Sequence, residues 1–203
     1  MRKIIISLFC ATLLAACAGK TTVVDTSSRE AMAGMQAVMG LEYRDFEKAA
    51  MEAVESMLSS GAVSKPDGGR YVLAVSRITN DTMQRIDTDQ LVKKIRTQLL
   101  QSGKVVVTTA VGLNGAEDPM VMKARQLRKS GEVNQNTVAQ TGKIIAPDLS
   151  LSGKIIQKNI SLGRNKTRVE YYVQLTLSEI ETGLAFWEGE TPIIKEGGKA
   201  PIW

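Results

Sequence analysis

Histidine is missing from all 203 residues. That absence excludes Ser-His-Asp and Cys-His catalysis, histidine-ligated zinc and an imidazole pH switch. Cysteine is nearly absent: Cys10 and Cys17 are the two thiols, both close to the amino terminus. No disulfide can staple the remainder, which must stand on its hydrophobic core. Aromatics make up 4% of the chain, and its 26 Lys and Arg residues are scattered. A nucleic-acid module would concentrate basic charge on one face. Gly61, Gly68 and Gly69 lack the G-x-G-x-x-G spacing, no Walker lysine pattern occurs, and no carboxylates fall at EF-hand-like intervals. These gaps point to a non-enzymatic protein with no cofactor or metal, binding neither nucleic acid nor a small-molecule substrate.

What is present begins with a leader. Arg2 and Lys3 precede the eleven-residue apolar run Ile4–Leu14. A membrane span needs about 20 residues, so the run fits a secretory signal peptide instead. It ends in Leu14-Ala15-Ala16-Cys17, which resembles the lipobox of bacterial lipoprotein precursors. In those proteins the cysteine is acylated and becomes the new amino terminus. The alternative is an ordinary signal peptide with a chance cysteine; charge, length, small residues and cysteine together favour the lipobox. Ala18 stands where an aspartate would signal inner-membrane retention, so the resemblance implies an outer-membrane anchor with the domain facing the periplasm. Several acyl chains, at about 0.8 kcal/mol per buried methylene, hold firmly where one does not. Arg2 and Lys3 leave with the leader, so the net charge of +5 falls to +3.

The remaining chain divides into a short tether, a domain over residues 41–196 and a tail over residues 197–203. Residues 18–40 are small, polar and weakly periodic. As a flexible coil they average about 27 Å, and fully extended they span at most about 80 Å. Leu41–Ser60 carries Phe46, Ala50, Val54 and Met57 at helical spacing, with Ala49, Ala53 and Leu58 widening the stripe. Pro66, Gly68 and Gly69 mark a turn, and Tyr71–Ile78 reads as a strand covered on both faces. "TNDTMQRID" is expected to be an exposed loop. Leu91, Ile95 and Leu99 form a second helical stripe, capped at Asp87 or Thr88 and stopped by Gly103. Lys104–Thr109 follows as a strand, which makes a parallel pair with a right-handed crossover. Asp118-Pro119 opens a third helix with Met120, Ala124 and Leu127 as its expected buried stripe. "NQNTVAQTGKII" is expected to add a short helix. The period then shifts to two, and three strands are expected to form a meander, with "NISLGRNKTR" as a basic hairpin loop and "ETGL" as a tight turn. The fold class is α/β (α+β): one mixed sheet with flanking helices.

Chemistry-bearing residues are few. Asp87 and Asp89 fit a helix start better than a cation site. Glu179, Glu181, Glu188 and Glu190 suit the wet face of a hairpin better than a carboxylate pair. Lys93, Lys94 and Arg96 decorate the solvent side of their helix. Arg125, Arg128 and Lys129 cluster near a helix end, where cations suit the dipole. With Arg164, Lys166 and Arg168 they also make a candidate surface for an acidic partner. Phe186-Trp187 should place one aromatic in the core and the other outside, and Trp203 is a loose tail or a docking peg.

"VSRITNDTMQRIDTDQLVKKIRTQLLQSGK", "APDLSLSGKI" and "YYVQLTLSEIETGLAFWEGE" resemble the LpoB family of outer-membrane lipoproteins; "NDT" followed by "LVKKIRTQLLQSGK" is its most specific part. The resemblance implies a domain like the amino-terminal domain of TolB. It also implies binding to an accessory domain of a bifunctional class A penicillin-binding protein, whose glycan polymerisation and crosslinking are stimulated. The tether departs from the long Pro-rich linker of well-known members. That departure keeps a second reading open: a structural or assembly lipoprotein of an outer-membrane or flagellar complex.

Overall fold

The structure, a computed structural model, describes residues 38–112 and 117–198. Cys17, Trp203 and most of the tether lie outside them. In chain order the elements are α1 (Tyr43–Ser60), β1 (Tyr71–Asp81), α2 (Asp89–Gln101), β2 (Val105–Val107), α3 (Pro119–Gln126) with a 3-10 turn (Leu127–Lys129), β3 (Leu149–Ser161), β4 (Lys166–Glu179) and β5 (Ala185–Gly198). One mixed sheet runs β2-β1-β3-β4-β5. β1 is parallel to both β2 and β3, and β3-β4-β5 is an antiparallel meander.

The two amphipathic helices bury the stripes their spacing dictates. α1 turns Phe46, Ala49, Ala50, Ala53, Val54 and Met57 inward, and α2 turns Leu91, Val92, Ile95 and Leu99. They meet Leu73 and Val75 of β1, Leu149, Leu151 and Ile155 of β3, alternate residues of β4 from Val169 to Leu177, and Trp187 and Ile193 of β5. Period-2 alternation puts all these strand residues on one sheet face. Gly61 and Gly103 stop the helices at φ of 78° and 70°, where a side chain would be strained.

Trp187 and Phe186 divide as expected. The Trp187 indole is buried and donates from Nε1 to Ser56 Oγ of α1 at 3.0 Å, whereas Phe186 is 38% exposed. Met39 and Gly40, expected in the tether, pack on the domain. The Met39 carbonyl accepts from Tyr171 Oη at 3.3 Å and the Gly40 carbonyl from Lys195 Nζ at 2.7 Å. At the other end, β5 continues two residues into the expected tail.

Other expectations are corrected. β1 extends to Asp81, so the following loop is shorter. It is also tied down: Gln84 accepts from the Leu41 N–H at 2.8 Å and donates to its carbonyl at 3.1 Å. Residues 134–145 form turns, not a helix, held by side-chain bonds of Asn134, Gln135 and Thr137. α3 forms where expected, with the Asp118 carboxylate accepting from the Met120 N–H at 2.9 Å and Pro119 in its first turn. Its stripe is not buried, however, and Met120 is 60% exposed. The reason is topological. β1-α2-β2 steps one way across the sheet and β2-to-β3 steps back, so the handedness rule places α3, on that return, over the face opposite α1 and α2. Ala74 and Val138 are buried outside the main core.

Candidate partner-binding surface

The cations singled out by sequence fall into two groups. Arg125, Arg128 and Lys129 lie at the end of α3. Arg125 Nη1 donates to the Val121 carbonyl at 2.7 Å and Arg128 Nε to the Arg125 carbonyl at 3.0 Å, so both guanidinium groups fold back along the helix onto its own carbonyls. Lys129 is exposed in the 3-10 turn. Arg164 and Lys166 lie at the β3–β4 turn. The strands reach further than the sequence suggested, and only residues 162–165 turn, with Gly163 and Asn165 at positive φ. Lys166 is therefore a strand residue. It pairs with Glu196 at 2.9 Å, and Arg168 pairs with the same carboxylate at 2.6 Å from directly across the ladder. These hydrogen bonds, Lys166 foremost and then Arg168, hold the Glu196 carboxyl below its ordinary range.

The fold does not gather the two groups into one patch. The Asp118 N–H bonds Thr109, next to Thr108, which bonds Leu73. Leu73 is level with Leu149, twelve residues of β3 before Ser161. That is about 40 Å of strand at 3.3 Å per residue, which α3 and its 3-10 turn, at about 17 Å, cannot cover.

What the fold does present is the open face of β3-β4-β5, opposite α1 and α2. Ile156, Tyr172 and Pro192 stand directly across from one another in the ladders, and Ile194 adds an exposed apolar side chain beside them. Tyr172 Oη donates to Glu170 Oε2 at 2.8 Å, and that bond pushes the phenol's pKa up. Polar pairs bracket the row: Gln174 with Glu190 at 2.8 Å, Lys154 with Asp81 at 2.6 Å, and Arg168 with Glu196. An amphipathic aromatic in an apolar row, rimmed by hydrogen-bonded charge, has the make-up of a protein contact surface. The reading of the sequence missed it. The signal was there in the alternate phase of "KTRVEYYVQLTLSE", where Tyr171 is core and Tyr172 must therefore face out.

A second concavity, of about 540 Å³, lies at the start of β1 and β3 between Lys65, Tyr71, Asp148 and Glu179. Its Asp148 is engaged by the Val72 N–H at 2.7 Å and by Lys65 at 3.6 Å. Among the described residues no group of three or more Cys, Asp or Glu is placed to hold a metal. No helix among them is long and apolar enough to cross a membrane.

A family model described as peptidoglycan-synthase activator LpoB matches residues 45–193, well over half of the chain, and the chain belongs to that family. It is similar to the LpoB C-terminal domains of Salmonella enterica and Escherichia coli, at 16% and 15% identity with TM-scores of 0.43 and 0.44. Each match covers 73% of this chain and 98% of the other. The NMR structure of Escherichia coli LpoB is 14% identical with a TM-score of 0.41, covering 88% of this chain and 79% of that one. No curated protein matches the sequence.

Proposed function

We propose that this protein is an outer-membrane lipoprotein, acylated at Cys17, whose periplasmic domain binds and activates a bifunctional class A penicillin-binding protein through an accessory domain of the synthase. It thereby regulates cell-wall synthesis. The observation that carries this reading is the family match across residues 45–193. The open sheet face supports it, since a regulator needs a contact surface and no reacting groups. The contact is assigned to that face and its rim, where Lys166 and Arg164 lie, with Arg125, Arg128 and Lys129 as a separate basic contact. Binding of residues 38–203 to the same organism's purified class A synthases tests the assignment. Saturable binding that Tyr172→Ala weakens supports it, and binding indifferent to Tyr172, Arg164 and Lys129 overturns it. Labelling with a palmitate analogue, lost in Cys17→Ser, tests the anchor.

The short stretch between Cys17 and the domain favours a second reading, a structural or assembly lipoprotein of an envelope complex. Copurification distinguishes the two. A stoichiometric ring or multi-subunit complex supports assembly, and weak capture of a synthase supports regulation.

A further inference from the structure

Among the described residues β5 is an edge strand, paired with β4 and with no strand on its other side. One row of its backbone N–H and C=O groups therefore has no sheet partner. At fourteen residues it far exceeds the three of β2 at the opposite edge. Sheets ordinarily shorten, cover or charge such an edge. Here the edge is charged, and with one sign. The strand's one cation, Lys195, is turned under the sheet to Asp45 and the Gly40 carbonyl. Glu196 is neutralised by Lys166 and Arg168. Among the described residues no cation pairs with Glu188 or Glu190: the side chains bonded to them are the neutral Thr176, at 3.4 Å, and Gln174, at 2.8 Å. Both carboxylates rise on the solvent side of the strand, around a shallow depression of about 420 Å³ that Leu175 and Gly189 also line.

Geometry and charge narrow the occupant. Pro192 has no N–H, so the continuous row of backbone donors ends before it. Residues 185–191 remain, the length of an ordinary strand. Phe186, the extra residue of the bulge opposite Leu177 and Ser178, offers an exposed aromatic at the start of that stretch. A second copy of the strand would bring Glu188 and Glu190 against their own kind, and like charges across a ladder are unfavourable. The same carboxylates, two residues apart and on one face, match cations at alternate positions of an added strand.

We propose that the outer edge of β5 over residues 185–191 docks an extended basic segment of a partner polypeptide by strand addition. Backbone pairing supplies the seat, and Glu188 and Glu190 select Lys or Arg at alternate positions. The site holds whichever protein supplies the segment, and it does not depend on the synthase being the partner.

The test uses residues 38–203, which contain the whole core cluster from Leu41 to Ile193, and a ten-residue peptide of alternating Lys and Val. Titration should slow amide hydrogen exchange in residues 185–191 and leave the α1–α2 surface unchanged. Glu188→Lys with Glu190→Lys should weaken binding at least tenfold, and Glu188→Gln with Glu190→Gln by less. Both residues are exposed, so unchanged spectra of the free variants confirm that they fold. A peptide N-methylated on the backbone of every Lys keeps the charge but loses the donors that face β5, since the residues opposite Glu188 and Glu190 are the Lys positions, and it should not bind. Equal binding of that peptide, exchange protection outside β5, or no binding of the Lys-Val peptide each overturns the proposal.

Discussion

Lys195 on β5 reaches Asp45 in the first turn of α1, with Nζ 2.6 Å from Oδ2 and both side chains almost wholly covered, at 11% and 12% exposure. The pair clamps the far end of the edge strand to the helix, and Glu42 and the Gly40 carbonyl complete its coordination. Removing the ammonium leaves Asp45 covered and uncompensated. Lys195→Met should therefore cost about 2 kcal/mol, between the values for exposed and for fully buried pairs. Adding Asp45→Asn should recover part of the loss. Urea unfolding of the single and double variants checks both.

Gly189 holds the middle of the same strand for a steric reason. A Cβ there would meet the Trp187 ring at 2.3 Å. Gly189→Ala should destabilise the domain by about 1–3 kcal/mol. Trp187→Leu in the same chain should shrink that increment, because the ring is what the methyl strikes. Thermal or urea melts of the four combinations measure the coupling.

Stability should depend on pH at the two ends of the scale and not between them. The Glu47 carboxyl is held below its ordinary 4.5, foremost by the Lys94 hydrogen bond. Burial works against charge on Glu42, but its bond to Arg44 and the nearby Lys195 outweigh burial and hold it low too. Depressed carboxyls stabilise the fold above pH 4.5, and that stability is lost as the pH falls through their folded values. Lys94 runs the other way. Burial opposes its charge, yet Glu47 and Tyr43 raise its pKa above 10.5. Its contribution is full below 10.5 and is lost as the pH rises through the folded value. Tyr171, raised by burial and then by Asp45, resists ionisation that the unfolded chain allows near pH 10. With no histidine in the chain, urea midpoints should be flat between about pH 6 and 9. Glu47→Gln should blunt the acid limb.

Charge reversal separates the two basic groups. Arg125 and Arg128 bond carbonyls of α3, so their reversal loosens that helix as well as changing charge; Lys129→Glu and Arg164→Glu are the cleaner probes. Each should weaken synthase binding by about 1–3 kcal/mol if its group is in contact. The groups sit far apart, so their effects should add in the double variant. Calorimetric titration of the singles and the double checks this.

Much of the fold was legible because local pattern and global burial agree. The stripes Phe46–Met57 and Leu91–Leu99, the Asp118-Pro119 cap and the alternation of β4 all form as their spacing dictates. Local reading failed where partners distant in sequence decide. Lys94, expected on the wet side of α2, lies against Glu47 and the Tyr43 ring of α1. Nothing local in "NISLGRNKTR" reveals Glu196 across the ladder, and so nothing there marks Lys166 and Arg168 as strand residues. The stripe of α3 is as periodic as a buried one, but α3 lies outside the core that α1 and α2 cover. Tyr172, Glu188 and Glu190 take their meaning from the strand order, which puts β5 at an edge of the sheet.

The most direct measurement is lipid II polymerisation by the same organism's class A synthases, with and without residues 38–203. A saturable, several-fold rise in rate that Tyr172→Ala diminishes is the predicted result. No change in rate, together with no binding to any of those synthases, would contradict the activator account and leave an envelope-assembly role in its place.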